Sequence, residues 1–293
     1  MQVASSPLVR SVEKLAQVDA HEGPVYVEAE HALYFTTLPK PGPRVSIKRL
    51  DLTTLRLSIV REEANGANGM TLGPDGRLLV CEQGTPGTRA RISAVDRTTG
   101  DTETVVDEYD GRPLNSPNDI VVASDDGSIW FTDPSYGFLQ GFKPEPAHGD
   151  NVYRFDGDRL TVAESSFDKP NGLAFSPDES VLYVGDSGAN HEPGTFNSGR
   201  PHHIRAFDVV DGALEDGRVF ATIAPGFPDG IKVDAEGNVY SSSFSGVQIF
   251  SPDGRRLDEV PLPGAVNFAF GGSTLFITTD TAIWAAALSA KGA

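Results

Sequence analysis

The chain of 293 residues carries 24 basic and 41 acidic side chains, a formal charge of −17, and 39% of its residues are hydrophobic. A surface this acidic repels nucleic acid and anionic membrane, so neither is an expected partner. A single cysteine, Cys81, excludes an internal disulfide, and no run approaches the roughly 18 apolar residues of a membrane span.

The first segment, MQVASSPLVRSVEKLAQVDA, lacks the continuous apolar stretch of a signal peptide, so a cytoplasmic protein is expected. A short helical turn is predicted near Val12–Ala16, and the early residues as a whole are expected to supply an outer strand closing the last repeat. From Glu22 onward one pattern recurs: a polar residue, a short alternating apolar run, a turn and a second β-rich run. It reads EGPVYVEAEHALYFTTL from Glu22, NGMTLGPDGRLLVCEQG from Asn68 and NDIVVASDDGSIWFTDP from Asn118. It continues as NGLAFSPDESVLYVGDS from Asn171, DGIKVDAEGNVYSSSF from Asp229 and VNFAFGGSTLFITTDT from Val266. Each copy predicts a hairpin.

Successive copies start 46, 50, 53, 58 and 37 residues apart, close to the ~40–50 residues of a four-stranded propeller blade. The expected fold is all-β, a six-bladed β-propeller forming one domain over residues 1–293; a β-sandwich is the alternative, disfavoured by six equivalent hairpins. Cys81, in LLVCEQG, reads as a small buried hydrophobe of a strand. Phe138–Asp150 and Gly188–His202 break the rhythm and are expected to be loops on one face, candidate lids over the channel.

In a propeller, equivalent residues of every blade lie on a circle around the axis. The first residue of each copy is Glu22, Asn68, Asn118, Asn171, Asp229 and Val266. Five of the six are oxygen donors. Asn and Asp before Gly are also common turn formers, but Glu22 is not, and five at one repeat position point to a metal or polar-ligand site. Two carboxylates with neutral amides suit one divalent ion, calcium foremost, with magnesium or manganese as alternatives. Zinc or iron normally brings His or Cys, and the six histidines show no metal-ligand spacing. His21, beside Glu22, and His148, in the first long loop, are candidate pocket residues. A second ring, Thr37, Glu82, Asp133, Asp186, Ser243 and Thr279, is expected to be mainly structural, with Asp133 and Asp186 its best functional candidates. Gly185-Asp186-Ser187-Gly188 resembles a serine-protease signature, but no nucleophile elbow or His-Asp pair accompanies Ser187, so it is set aside.

These segments, in this order, resemble the regucalcin and gluconolactonase (senescence marker protein) family over nearly the whole chain, and most of all its bacterial gluconolactonases. The resemblance implies a six-bladed propeller with one catalytic divalent metal in its channel. It implies Glu22, Asn171 and Asp229 as metal ligands, and Asn118 as a ligand or a contact to substrate; Asn68 and His148 are assigned to substrate binding. Animal members carry Arg two residues before the Asn118 position, where this chain has Ser116, so their substrate contacts do not carry over. The implied reaction is hydrolysis of a small lactone, with the metal polarising the carbonyl and Asp229 taking a proton from the attacking water. A phosphotriester hydrolase on the same site, or a non-catalytic calcium-binding propeller, are the alternatives. Oligomeric state is left open.

Overall fold

A computed structural model describes residues 8–41, 44–191 and 194–293. Its strands form six four-stranded antiparallel sheets, with one small extra hairpin, Glu108–Tyr109 with Arg112–Pro113. Each predicted hairpin is the inner pair of one sheet. In the first blade, Val25–Val27 lies innermost and pairs with Ala32–Thr36, followed by Ile47–Asp51 and Leu57–Arg61. The other blades repeat this order outward from Ala67–Leu72, Ile120–Val122, Pro170–Phe175, Ile231–Val233 and Phe268–Gly271.

The apolar core is divided into six clusters, each lying between two neighbouring blades. The side-chain period of two explains the division. In Ala32–Thr36, Ala32 and Tyr34 face the second blade, beside Met70, Leu78 and Val80. Leu33 and Phe35 face the sixth, beside Phe276 and Ile283. Likewise Leu79 and Cys81 turn toward Phe131 of the third blade, away from the face used by Leu78 and Val80. A strand packed on both faces has no need of polar alternation, which is why the second strand of each repeat reads as an unbroken apolar run. The fourth strands lie at the rim, and Leu57–Arg61 is largely exposed. Cys81 is fully buried, and burial pushes its thiol well above the usual range, as expected of a structural residue.

The ring is closed by Val9–Ala20, which pairs antiparallel with Asp280–Leu288 and completes the sixth sheet. The predicted helical turn at Val12–Ala16 is therefore not formed: the segment is strand. Its pairing shifts register between Val9 and Ser11, Lys14 and Ala16, and Gln17 and Ala20. These irregularities interrupt the period of two and leave a spacing that resembles a helical one. No helix among the described residues is long and apolar enough to cross a membrane.

Near the axis the inner strands come very close. Asn68-Gly69 and Asn171-Gly172 lie inside strands, and Asp229-Gly230 sits directly before one, so these pairs are not turns. The glycines serve close approach. A Cβ on Gly172 would collide with the backbone oxygen of Asp229, and one on Gly69 would lie 2.5 Å from Asp119 Oδ1. The Gly172 N–H donates to that same Asp229 oxygen at 3.0 Å. Gly172→Ala is therefore expected to destabilise the protein by about 1–3 kcal/mol through overpacking, measured by denaturant unfolding against the parent chain.

Candidate active site

The ring of oxygen donors converges as the repeat predicts. Glu22, Asn68, Asn118, Asn171 and Asp229, one from each of the first five blades, line a single cavity of about 490 Å³ at the channel mouth. Glu22, Asn68, Asn118 and Asn171 are buried, and Asp229 is partly exposed. Their backbones are pinned from the neighbouring blade. Thr36 Oγ1 donates to the Asn68 carbonyl at 3.1 Å, and Thr132 Oγ1 to that of Asn171 at 2.8 Å. The second-strand threonines thus lock the position of the next blade's donor.

The sixth place departs from the sequence reading. Val266 offers only its backbone oxygen, to the N–H of Gly230 at 3.1 Å. The polar group is one residue on: buried Asn267 donates through Nδ2 to Glu22 Oε2 at 2.8 Å, and its Oδ1 accepts the N–H of Phe268 at 2.8 Å. Asp119 occupies the equivalent place after Asn118, with a buried, unpartnered Oδ2 3.9 Å from Lys232 Nζ. A signal for Asn267 exists in GAVNFAF, where the amide follows the repeat position instead of filling it.

The long loops supply part of the remaining lining, Leu139 and Gln140 from the first and Asn190, His191 and Gly194 from the second, beside His21, Leu38, Pro39 and Gln83. Tyr136, just ahead of the first loop, also lines the cavity, and its phenol oxygen accepts from Asn171 Nδ2 at 3.3 Å. It belongs to no repeat, so nothing in the sequence pattern marked it. His148 is not among the cavity residues: its ring packs on Tyr109 at 5.3 Å, and its carbonyl accepts from Asn115 Nδ2. The aromatic contact and the bond to Asn115 hold that part of the loop on the side of the blade.

The second ring does structural work. Asp133 accepts the N–H groups of Asn115 and Ser116 at 2.8 and 2.7 Å, and Asp186 those of Lys169, Asp168 and Gly188 at 3.0–3.2 Å. Burial lifts the Asp133 carboxyl to about 7, although those two N–H groups pull the other way. Glu82, buried, is held by Arg61, Arg91 and Ser93; burial alone raises a carboxyl, but these partners outweigh it and its pKa is lowered. Ser187 donates its hydroxyl to the Pro228 carbonyl, a backbone tie and not a nucleophile's arrangement.

Electrostatics single out the two channel carboxylates. Withdrawal from water, then the charge of Asp229, raises Glu22 to about 8, partly offset by His21. Withdrawal from water also raises Asp229 to about 6, against the opposing effects of His21 and Asn171. His21 is itself raised: burial lowers it, but its bond to Asp280 and the charges of Glu22, Asp280 and Asp229 outweigh that. Without a cation, Glu22 therefore holds a proton near neutral pH that a solvated carboxylate lacks. A divalent ion fits what is present. All the donors are oxygens, two carry negative charge, and the buried Asn68 Oδ1 has no partner. Among the described residues, no three His, Cys, Asp or Glu side chains gather as a metal cluster; the donor set is two carboxylates completed by amides.

A six-bladed propeller with a carboxylate–amide cavity at its channel mouth defines the class. Residues 20–281 match the family described as SMP-30/Gluconolactonase/LRE-like region, and the chain belongs to that family. It is 33% identical over 289 residues to a gluconolactonase of Zymomonas mobilis, covering 88% of this chain and 76% of the relative. It is 30% identical over 280 residues to the lactonohydrolase oryL of Aspergillus oryzae, covering 87% of this chain and 64% of the relative. The solved structure of a gluconolactonase from Xanthomonas campestris superposes with a TM-score of 0.80 at 38% identity, covering 94% of this chain and 89% of that one. A calcium-binding regucalcin from Agrobacterium tumefaciens, at 17% identity and a TM-score of 0.73 over 95% of this chain and 93% of that one, shares the fold.

Groups whose folded pKa is raised favour the folded state below their unfolded value, and that contribution is lost as pH rises through the folded one. With a chelator present, the melting temperature is expected to fall as pH rises from the ordinary carboxylate range toward about 8. Glu22→Gln, which removes one of the two charges, is expected to flatten that slope in a thermal-melt series.

Proposed function

We infer that the chain is a lactone hydrolase that opens a sugar lactone, with one divalent cation, calcium foremost, held by Glu22, Asn171, Asp229 and Asn118. The observation that carries this reading is the convergence of five oxygen donors from five blades on one cavity. Two of them are carboxylates whose proton affinity is raised in the absence of a countercharge. Relatives described as gluconolactonase, lactonohydrolase and pentonolactonase support the reaction class.

When bound, the cation supplies Lewis-acid polarisation of a carbonyl and charge balance for Glu22 and Asp229. The chain's own residues do the remainder. Asn267 holds Glu22 through Oε2 and leaves Oε1 for the cavity. Tyr136 accepts from Asn171 Nδ2, which fixes the plane of that amide at the cavity wall. Asn68, with its unpartnered Oδ1, is a ready acceptor for a sugar hydroxyl. On this reading Asp229 is the general base: bound to the cation through one oxygen, it would take the proton of the attacking water with the other. Leu139, Gln140, Asn190 and His191 restrict what enters and set which lactone fits.

The test is hydrolysis of an aldonolactone panel, beside a fluorophosphate, by chelator-stripped protein before and after return of calcium, magnesium, manganese or zinc. Turnover of a lactone is expected to return with the cation and to fall by about two orders of magnitude or more in Glu22→Gln and Asp229→Asn. A preference for the fluorophosphate, or lactone turnover indifferent to chelation, contradicts the assignment.

A further inference from the structure

The short helix Tyr136–Leu139 serves two cavities. Tyr136, Leu139 and Gln140 line the channel mouth, whereas Ser135 and Phe138 line a second cavity of about 380 Å³. The neighbouring segments divide in the same way: Gln83 and Asn118 line the first, Thr85 and Ser116 the second. Much of the second wall is apolar, from Pro113, Leu114, Phe138, Pro144, Pro146 and Ala147. It also carries two cations against one carboxylate, Glu145, in a chain of formal charge −17. One cation, Arg89, is answered by Asp107 and Glu108. The other, Lys143, is not: among the described residues its ammonium makes no hydrogen bond and no ion pair. Two glycines show where that side chain runs. A Cβ on Gly137 would collide with Lys143 Cγ, and one on Gly84 would lie 2.7 Å from Lys143 Nζ and 2.8 Å from the Thr88 carbonyl. The amine therefore ends at the Thr85–Thr88 turn, itself part of the cavity wall. Withdrawal from water lowers the Lys143 pKa, against the opposing charge of Asp133. The Asp133 oxygens are already engaged by the N–H groups of Asn115 and Ser116. A half-buried cation without a partner carries a desolvation cost that an anion relieves.

We propose that this second cavity binds a small organic carboxylate with an apolar body, the Lys143 ammonium pairing with its charge. A mainly apolar wall with one fixed charge is a common build for a small-molecule site. Both halves of the ligand are needed. A neutral apolar molecule leaves the ammonium unanswered, and a polyhydroxy acid sets its hydroxyls against Leu114, Phe138 and the prolines. None of Glu22, Asn118, Asn171 and Asp229 lines this cavity, so its occupancy does not depend on a cation at the channel mouth.

The experiment is calorimetric titration of the full chain with benzoate, and with benzamide and an aldonate as comparisons. Benzoate is expected to bind at one site per chain, more tightly than either comparison. Lys143→Met and Lys143→Gln, each checked for folding by thermal melt, are expected to weaken it about tenfold or more through loss of a charge-assisted contact. Lys143→Arg is expected to retain binding, and Phe138→Ser to weaken it through loss of apolar cover. Removal of calcium, or Glu22→Gln, is expected to leave the benzoate affinity unchanged. The site is overturned if benzoate does not bind at millimolar concentration, or if benzamide or the aldonate binds as tightly. It is equally overturned if folded Lys143→Met and Lys143→Gln bind within about twofold of the parent. Benzoate binding that is lost in Glu22→Gln or on removal of calcium places the carboxylate at the channel mouth and overturns it too.

Discussion

The constraint on which the site depends is the withdrawal of two carboxylates, Glu22 and Asp229, from water at the mouth of one channel. In water each is ionised near neutral pH; here withdrawal from solvent raises both, and the charge of Asp229 raises Glu22 further. Such a pair is a cost to the fold unless a proton or a cation answers it. On the proposed reading a cation answers it, and the surrounding groups leave room for one. Asn267 holds one Glu22 oxygen, Asn68 leaves its own oxygen unpartnered, and the nearby lysine, Lys232, stands beside Asp119.

Holding those charges together requires a rigid frame, and the propeller supplies one by packing every second strand on both faces. Six interblade clusters share the apolar side chains, so no blade moves without disturbing two neighbours. At the axis the frame narrows until only glycine fits beside the next blade's backbone, as at Gly172 against Asp229. The strand Val9–Ala20 locks the circle and in the same act brings Asp280 to His21.

Much of this was legible in the sequence because the repeat is a direct record of geometry. Period-two runs marked the inner hairpins, and one position read across the copies gave Glu22, Asn68, Asn118, Asn171 and Asp229, which share one cavity. The turn-former explanation of Asn-Gly fails for a physical reason: those glycines lie in or directly before strands and relieve close contacts. What the repeat does not encode stayed hidden. Asn267 is displaced by one residue from the place Val266 holds, so a fixed offset missed it. Tyr136 has no counterpart in the other blades. The partnership of His21 with Asp280 spans almost the whole chain, and no local pattern reports it. His148 lies in a loop whose course is set by Tyr109 and Asn115, contacts that spacing cannot reveal. In Val9–Ala20, bulged pairing blurred the strand period.

The central claim is that a divalent cation replaces the proton that Glu22 holds beside the charge of Asp229. Titrating chelator-stripped protein with calcium near pH 7, in buffers of different ionisation enthalpy, reads both the binding and the protons released. The account predicts one site per chain with net proton release, reduced in Glu22→Gln. Absence of binding, or binding with no proton release and no response to that substitution, contradicts it.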